Sequence, residues 1–394
     1  MSNSVKRAAF IVSHPIQYFA PLYQRLGRRE DLEIKVFFTW HDGRTPVEDR
    51  GFKERISWDI PLTEGYEFEL VPNVATNPGT HHFFGLRNPA LVQRVVDWHP
   101  NVVLIHGWAW LSHLQAMHTF HKLKVLSLFR GDSHLIHAGF SGPRWWVKRA
   151  LLRRIFSWPT GFLVVGSANR AYYENFGVKP NRLYRCPYSI DVSRFAEPSE
   201  LLEQEAARWR MQMRIMPDQT VFLYAGKLEP KKRPLDLMRA VSRLQNSDAV
   251  LVIVGGGELI GDIESFAASD PARFRVLPFQ NQTRMPVVYR LGDVFVLPSS
   301  SDETWGLSVN EALSCSRPVI VSDRVGCARD VVDPSCGWIF PWSDLQALEK
   351  TLQGTVANRH TLTHMRRAAR QRAQLFDLTV TEAALLKTIN AVSS

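Results

Sequence analysis

Cysteine is scarce in this chain of 394 residues: there are four, Cys186, Cys315, Cys327 and Cys336, and none falls in a CxxC spacing. That excludes a metal-finger framework and is too sparse for a disulfide-stapled fold, so the thiols are expected to be reduced and mostly buried. No apolar run approaches the roughly 18 residues of a membrane-spanning helix, and Met1–Arg7 leads into a short apolar strand instead of a signal-peptide core. The expectation is a cytoplasmic protein. No low-complexity tract or internal repeat is present, so any likeness between the two halves is architectural. A complete dinucleotide fingerprint is also missing, because Gly255-Gly256-Gly257 is followed by Ile260 where GxGxxG needs its last glycine. This argues against a nicotinamide cofactor.

Positive charge, by contrast, is in excess: the net charge of +10 asks for an anionic partner, whether nucleic acid, an acidic membrane surface or a phosphorylated small molecule. The basic residues are scattered instead of lining one groove with aromatics, which argues against nucleic acid. With 45% hydrophobic residues the chain can bury two ordinary cores. Short runs rich in Val, Ile and Phe alternate with longer amphipathic stretches, the pattern of parallel sheets covered by helices. One strand series is Ala8–Val12, Glu33–Phe38, Val102–Ile105, Val125–Phe129 and Phe162–Val165. A second follows the Glu-rich stretch Ala196–Met213: Val221–Tyr224, Ala249–Val254, Phe274–Val276, Val294–Leu297 and Val319–Val321. The expected division is a domain over 1–195, a linker over 196–218, a second domain over 219–373, and a terminal helix over 374–394 packing back on the first.

The first strand of the second series ends in Ala225-Gly226-Lys227-Leu228-Glu229-Pro230-Lys231-Lys232-Arg233-Pro234. Ligands of open α/β sheets sit beyond the carboxyl ends of strands, so this loop is a candidate site. Gly226 permits close backbone approach, and Lys227 and Lys232 supply separated charges for a diphosphate. A solvated basic loop would read the same way in isolation. However, the strand, loop and helix logic recurs from Leu297 to Leu313, with Glu303 before the helix and Glu311 inside it. A helix starting near Gly306 turns free N–H groups and its dipole toward an anion. Two glutamates alone would also suit the acid and base of a glycosidase, or surface charges, but a glycosidase needs no diphosphate cradle.

Taken together, Gly226-Lys227-Leu228, Lys232 and Glu303-x7-Glu311 followed by Ala312-Leu313 resemble the signature of family 4 retaining glycosyltransferases, the glycosyl transferases of group 1. The likeness continues through Ile253–Gly257, Pro318–Ser322 and Gly337–Pro341. It implies the GT-B fold: α/β, with two Rossmann-like domains facing each other across a cleft. It also implies Lys227 and Lys232 on the donor diphosphate, Glu303 on hydroxyls of the transferred sugar and Glu311 on the ribose. Thr304, Trp305, Gly306 and Leu307 would hold sugar or phosphate through main-chain N–H groups, and Phe279 lies in the stretch expected to carry the base. Lys227 stands where the family usually has arginine, which keeps the charge and loses the bidentate fork. Thr304-Trp305 replaces a smaller, glycine-containing pair, so a reshaped sugar pocket is expected.

In the first half, three polar loops at strand ends offer acceptor-side candidates: His14, His106, and the group Arg130, Asp132 and His134. Lone histidines are more often structural. His106 gains weight because Val102–His106 resembles the family segment whose histidine faces the reacting sugar, which makes it a candidate catalytic residue with Lys232 and Glu303. Pro187–Phe195 resembles the stretch closing the family's first domain. Finally, Arg144–Trp158 combines Lys148, Arg149, Arg153 and Arg154 with large apolar residues. As a helix it suits an anionic membrane surface, and equally a packed surface helix with a basic outer face.

The implied reaction is transfer of a hexose-type sugar from a nucleotide-diphosphate sugar to a glycan or lipid-linked acceptor, in polysaccharide or glycoconjugate assembly. No metal or other cofactor is expected, since lysines and a helix start carry the charge and no Asp-x-Asp motif stands in a suitable loop. A sugar-nucleotide epimerase of GT-B fold and a non-catalytic nucleotide-sugar binder are the alternatives.

Overall fold

Strands buried on both faces need runs of apolar residues without interleaved charge, and the chain spends such runs on two all-parallel sheets. The computed structural model describes residues 5–43, 47–49, 51–52, 54–136, 142–245, 248–300 and 303–393. Strands Lys6–Val12 (β1) and Leu32–Phe38 (β2) are followed by an antiparallel hairpin, Val47–Asp49 (β3) with Glu54–Ile56 (β4). Then come Glu67–Leu70 (β5), Val102–His106 (β6), Ser127–Arg130 (β7), Gly161–Val164 (β8) and Leu183–Arg185 (β9). The first sheet runs β5-β2-β1-β6-β7-β8-β9. Thr220–Ala225 (β10), Ala249–Val254 (β11), Phe274–Leu277 (β12), Val294–Leu297 (β13), Val319–Ser322 (β14) and Gly337–Phe340 (β15) form the second, ordered β12-β11-β10-β13-β14-β15.

Both sheets therefore reverse direction beside their first strand, between β1 and β6 and between β10 and β13. Loops leaving such a switch point diverge and open a crevice at the strand carboxyl ends. The expected strands recur within a few residues. Those missed are the β3–β4 hairpin and strands at the sheet margins: β5, whose glutamates alternate with Phe68 and Leu70, the three-residue β9, and the edge strand β15. Such short strands carry little of the apolar signal.

The chain divides into two units. One comprises Met1–Pro46, Ile60–Tyr188 and Leu378–Ser394; the other comprises Val47–Asp59 and Ser189–Asp377. The linker expected over 196–218 is instead part of the second unit. Its core is the helix Ser199–Gln212, where Glu200 is exposed but Glu203 pairs with Arg317 at 2.6 Å and Arg290 at 3.3 Å, and Glu205 pairs with Arg284 at 3.0 Å. Both Arg290 and Arg317 are buried, so the acidic run that reads as a linker is the counter-charge of a packed face. The terminal helix Leu378–Ser393 belongs to the first unit, where Leu378, Leu385 and Ile389 join the core around β1 and β2. Glu382 ties it down through Arg25 at 2.9 Å and Arg29 at 3.1 Å.

Among the described residues no helix is long and apolar enough to cross a membrane. The basic segment forms the helix Pro143–Ile155, but its apolar residues do not all face one way. Leu152 and Ile155 are buried in the first unit's core, whereas Trp146, Val147 and Leu151 stay exposed at 63%, 69% and 53%. The side chain of Arg144 lies outside the described residues. All four cysteines are free and buried.

Candidate active site

The loops after β10 and β11 in the second sheet are locked together by glycine. Gly226 has φ +155° and Gly255 has φ +154°, and a Cβ on Gly255 would sit 2.0 Å from the Gly226 carbonyl oxygen. Amide donors complete the lock, from Gly226 to the Val254 carbonyl at 3.0 Å and from Leu228 to that of Gly256 at 2.8 Å. No side chain fits at such an approach. Below it, the Tyr224 hydroxyl donates to the Lys227 carbonyl at 2.7 Å. The chain then makes the short turn Pro230–Lys232, passes through left-handed Arg233 at φ 56°, and enters the helix Pro234–Ser242. That geometry turns the Lys232 ammonium onto the Glu303 carboxylate, whose Oε2 also accepts from Ser299 Oγ at 3.1 Å. Both partners are largely shielded, with 19% and 13% of their side chains exposed.

Glu303 is held by a second glycine contact. The amide of Gly326 donates to the Glu303 carbonyl at 2.9 Å, Cys327 does the same to Trp305 at 2.9 Å, and a Cβ on Gly326 would lie 1.9 Å from the Thr304 oxygen. Gly306, at φ +92°, then opens the helix Leu307–Ser314. Its first N–H groups have no intrahelical partner. Ser301 and Asp302 of this loop lie outside the described residues. Trp305 corrects the expectation of a reshaped sugar pocket: its ring is 3% exposed, its Nε1 donates to Asn310 Oδ1 at 3.1 Å, and it lies 6.2 Å from the ring of Phe376. The indole packs inward.

Glu311 lies in the same helix and is buried. Its Oε2 accepts from the Tyr289 hydroxyl at 2.6 Å, and its Oε1 has no hydrogen-bond partner. Burial pushes this carboxyl up to about 7, against the pull of the Tyr289 hydrogen bond and the charge of Arg194. Arg194 itself bonds Gln282 Oε1 at 2.8 Å and covers the ring of Phe195 at 4.5 Å. Tyr289 sits outside the motif strings, and Arg194, inside the stretch Pro187–Phe195, carries no local sign that it faces Glu311. Phe279 follows β12 and meets Phe52 of the β3–β4 hairpin edge-on, with ring centres 4.7 Å apart.

The remaining candidates fall at the carboxyl edge of the first sheet. His106 ends β6, with the ring of Phe19 4.9 Å away. Burial, then the charge of Arg130 and the neighbouring His113, hold its imidazole well below the usual range, so it is neutral at pH 7. Arg130, at the end of β7, is buried between Tyr188 at 4.9 Å and Phe19 at 5.6 Å, with Nη1 3.1 Å from Cys186 Sγ and Nη2 donating to the Pro187 carbonyl at 3.3 Å. Asp132 accepts from the Tyr188 hydroxyl at 3.4 Å. His134 is half-buried two residues on. His14 contacts Ser13 Oγ at 2.9 Å through Nδ1 and stacks on His41 at 5.1 Å. The structure thus gathers Lys227, Lys232, Glu303, Gly306, Leu307 and Glu311 in the second unit, and His14, His106, Arg130, Asp132 and His134 in the first.

Two all-parallel α/β units of this strand order define a GT-B glycosyltransferase fold. A crystal structure of the Anabaena protein Alr3699/HepE with UDP and glucose has a TM-score of 0.71 to this chain at 15% identity, covering 98% of this chain and 100% of that one. Residues 206–372 match the family model of glycosyl transferases group 1, so this part of the second unit is similar to that family. Among curated relatives it is 27% identical over 312 residues to D-inositol 3-phosphate glycosyltransferase 2 of Catenulispora acidiphila, covering 71% of this chain and 69% of that protein. It is 25% identical to D-inositol 3-phosphate glycosyltransferase of Jonesia denitrificans over 70% of this chain and 63% of that protein.

Burial of Glu311 has a measurable consequence. A carboxyl raised from 4.5 to about 7 keeps in the folded state a proton that the unfolded chain releases, so its contribution is full below about pH 4.5 and lost as pH rises through 7. The loss amounts to about 3 kcal/mol at full ionisation. Glu311→Gln removes it, so in thermal melts without ligand the variant should gain on the wild type between pH 5 and pH 8.5. A stability difference that does not change with pH would contradict this environment for Glu311.

Proposed function

We propose that this protein is a retaining hexosyltransferase that takes a sugar from a nucleotide-diphosphate donor bound in the second unit to a hydroxyl of a glycan or lipid-linked acceptor held by the first. The observation that carries the reading is the shielded Lys232–Glu303 pair beside the helix start at Gly306. Without ligand the two charges neutralise one another. A diphosphate competes for Lys232, with Lys227 and the free N–H groups at the helix start as its other contacts, and Glu303 is released to accept from hydroxyls of the sugar. Glu311, with one carboxylate oxygen unpartnered, suits the ribose hydroxyls.

Transfer follows from where charge develops. As the bond from the anomeric carbon to the diphosphate oxygen breaks, the lysines and helix start stabilise the leaving group. The acceptor oxygen bonds to the anomeric carbon from the same face, and its proton passes to the leaving phosphate. His106, held neutral, offers a polar contact to the sugar without adding charge. Because cationic side chains and backbone dipoles balance the leaving group, the reaction is metal-independent.

The Anabaena crystals contain UDP and glucose, which makes UDP-hexoses the first donors to try, and the relatives' names add inositol phosphates to the acceptors worth testing. In donor hydrolysis or transfer assays over UDP-, GDP- and ADP-sugars, Lys232→Ala should lose about 2–4 kcal/mol of transition-state stabilisation, roughly thirty- to thousandfold, while remaining folded. Near-normal turnover would sink the donor assignment. EDTA should leave the wild-type rate unchanged; its loss, with recovery on adding Mg²⁺ or Mn²⁺, would refute metal independence.

Trp146, Val147 and Leu151, exposed on the helix Pro143–Ile155 among Lys148, Arg153 and Arg154, further support presentation of the acceptor at an anionic membrane. Each such basic residue contributes about 1 kcal/mol near an anionic surface, and the indole adds apolar burial. Sedimentation with phosphatidylserine-containing vesicles should fall as salt rises, and Lys148→Gln/Arg153→Gln/Arg154→Gln should weaken it with donor binding intact. Wild-type protein that ignores these vesicles at low salt would leave a soluble acceptor.

A further inference from the structure

The β3–β4 hairpin leaves the chain of the first unit after Pro46 and joins the second. Its return strand is stitched to the loop after β12: Asn281 Nδ2 donates to the Ser57 carbonyl at 2.7 Å, and Asp59 Oδ1 accepts from the Thr283 amide at 3.1 Å. Those anchors bring the turn of the hairpin against Lys227. A Cβ on Gly51 would lie 2.5 Å from Lys227 Cδ, 2.7 Å from its Nζ and 2.6 Å from Glu229 Oε1, and the Gly51 carbonyl oxygen is 2.9 Å from where Gly257 would carry a Cβ. The turn is therefore fitted along the lysine stem. Beside it, the ring of Phe52 receives Lys227 Nζ at 5.1 Å from its centre and meets Phe279 edge-on at 4.7 Å.

Lysine is a point charge on four flexible bonds, and ordering it for a ligand costs rotamer freedom. An aromatic face attracts the ammonium and restricts where it lies. Resting on the reading of Lys227 as a diphosphate contact, we propose that the hairpin is part of the donor site and that Phe52 is a positioning residue, holding the Lys227 ammonium ready before the nucleotide arrives. Phe52 is half-buried and lies outside the buried core of the second unit, so its replacement leaves that core intact.

The test is a double-mutant cycle on binding of UDP, GDP and ADP by the full-length protein. For whichever diphosphate the wild type binds, Phe52→Leu should weaken affinity about five- to tenfold, and Phe52→Tyr, which keeps the ring, should restore it. In a Lys227→Ala background, Phe52→Leu should cost nothing further. Losses that multiply independently would show that Phe52 acts without Lys227, and tighter binding by Phe52→Leu would show a ring that obstructs the site. Either result overturns the proposal. Unchanged affinity in Phe52→Leu overturns the role of Phe52 alone, whereas a wild type that binds none of the three diphosphates overturns the donor site itself.

Discussion

The site in the second unit depends on how closely two backbone segments approach. Where Gly326 meets Thr304, a single methyl would overlap a carbonyl oxygen, and the amides of Gly326 and Cys327 bond the carbonyls of Glu303 and Trp305. Everything chemical about that loop follows from this contact. It sets where the helix at Gly306 begins, where its free N–H groups point, and where the Glu303 carboxylate meets Lys232. The lock between Gly226 and Gly255 does the same for the lysine-bearing loop. Ion pairs between flexible side chains lose much of their gain to ordering, so two charges that neutralise one another across separate loops need loops that do not move.

The two units use one strand order for different electrostatics. At the second switch point Lys232 pairs with Glu303 before the helix start, and Glu311, inside that helix, is pushed toward neutrality by burial. At the first, the ring of His106 is held uncharged, and the buried Arg130 is covered by aromatic faces and by Cys186.

How much of this could be read from residues alone follows from the range of each signal. Continuous apolar strands such as Ala249–Val254 announce themselves, and Gly226 and the glutamates at 303 and 311 stand out through the order in which the family resemblance strings them together. Trp305 misleads: its position in the motif suggests a pocket wall, but which side of a loop faces the core is a tertiary property, and its indole bonds Asn310 inside. The Glu-rich run after Ala196 suggests solvent until Arg290 and Arg317, far along the chain, supply its counter-charges. The hairpin is hidden most completely. Strands of three residues with Glu48, Asp49, Glu54 and Arg55 show no periodicity, and nothing local says that Phe52 belongs beside Lys227.

The central claim is that Lys232 and Glu303 hold each other until a donor separates them, and replacing Glu303 by Gln tests it most directly. Titration of the variant with a nucleoside diphosphate and with the matching sugar nucleotide, beside the transfer rate, separates the two partners. With Lys232 freed of its competitor, the diphosphate should bind as well as or better than to the wild type. The sugar nucleotide should lose its advantage, and transfer should slow about a hundredfold. Equal weakening of both ligands, or transfer at the wild-type rate, would contradict the exchange of partners at Lys232.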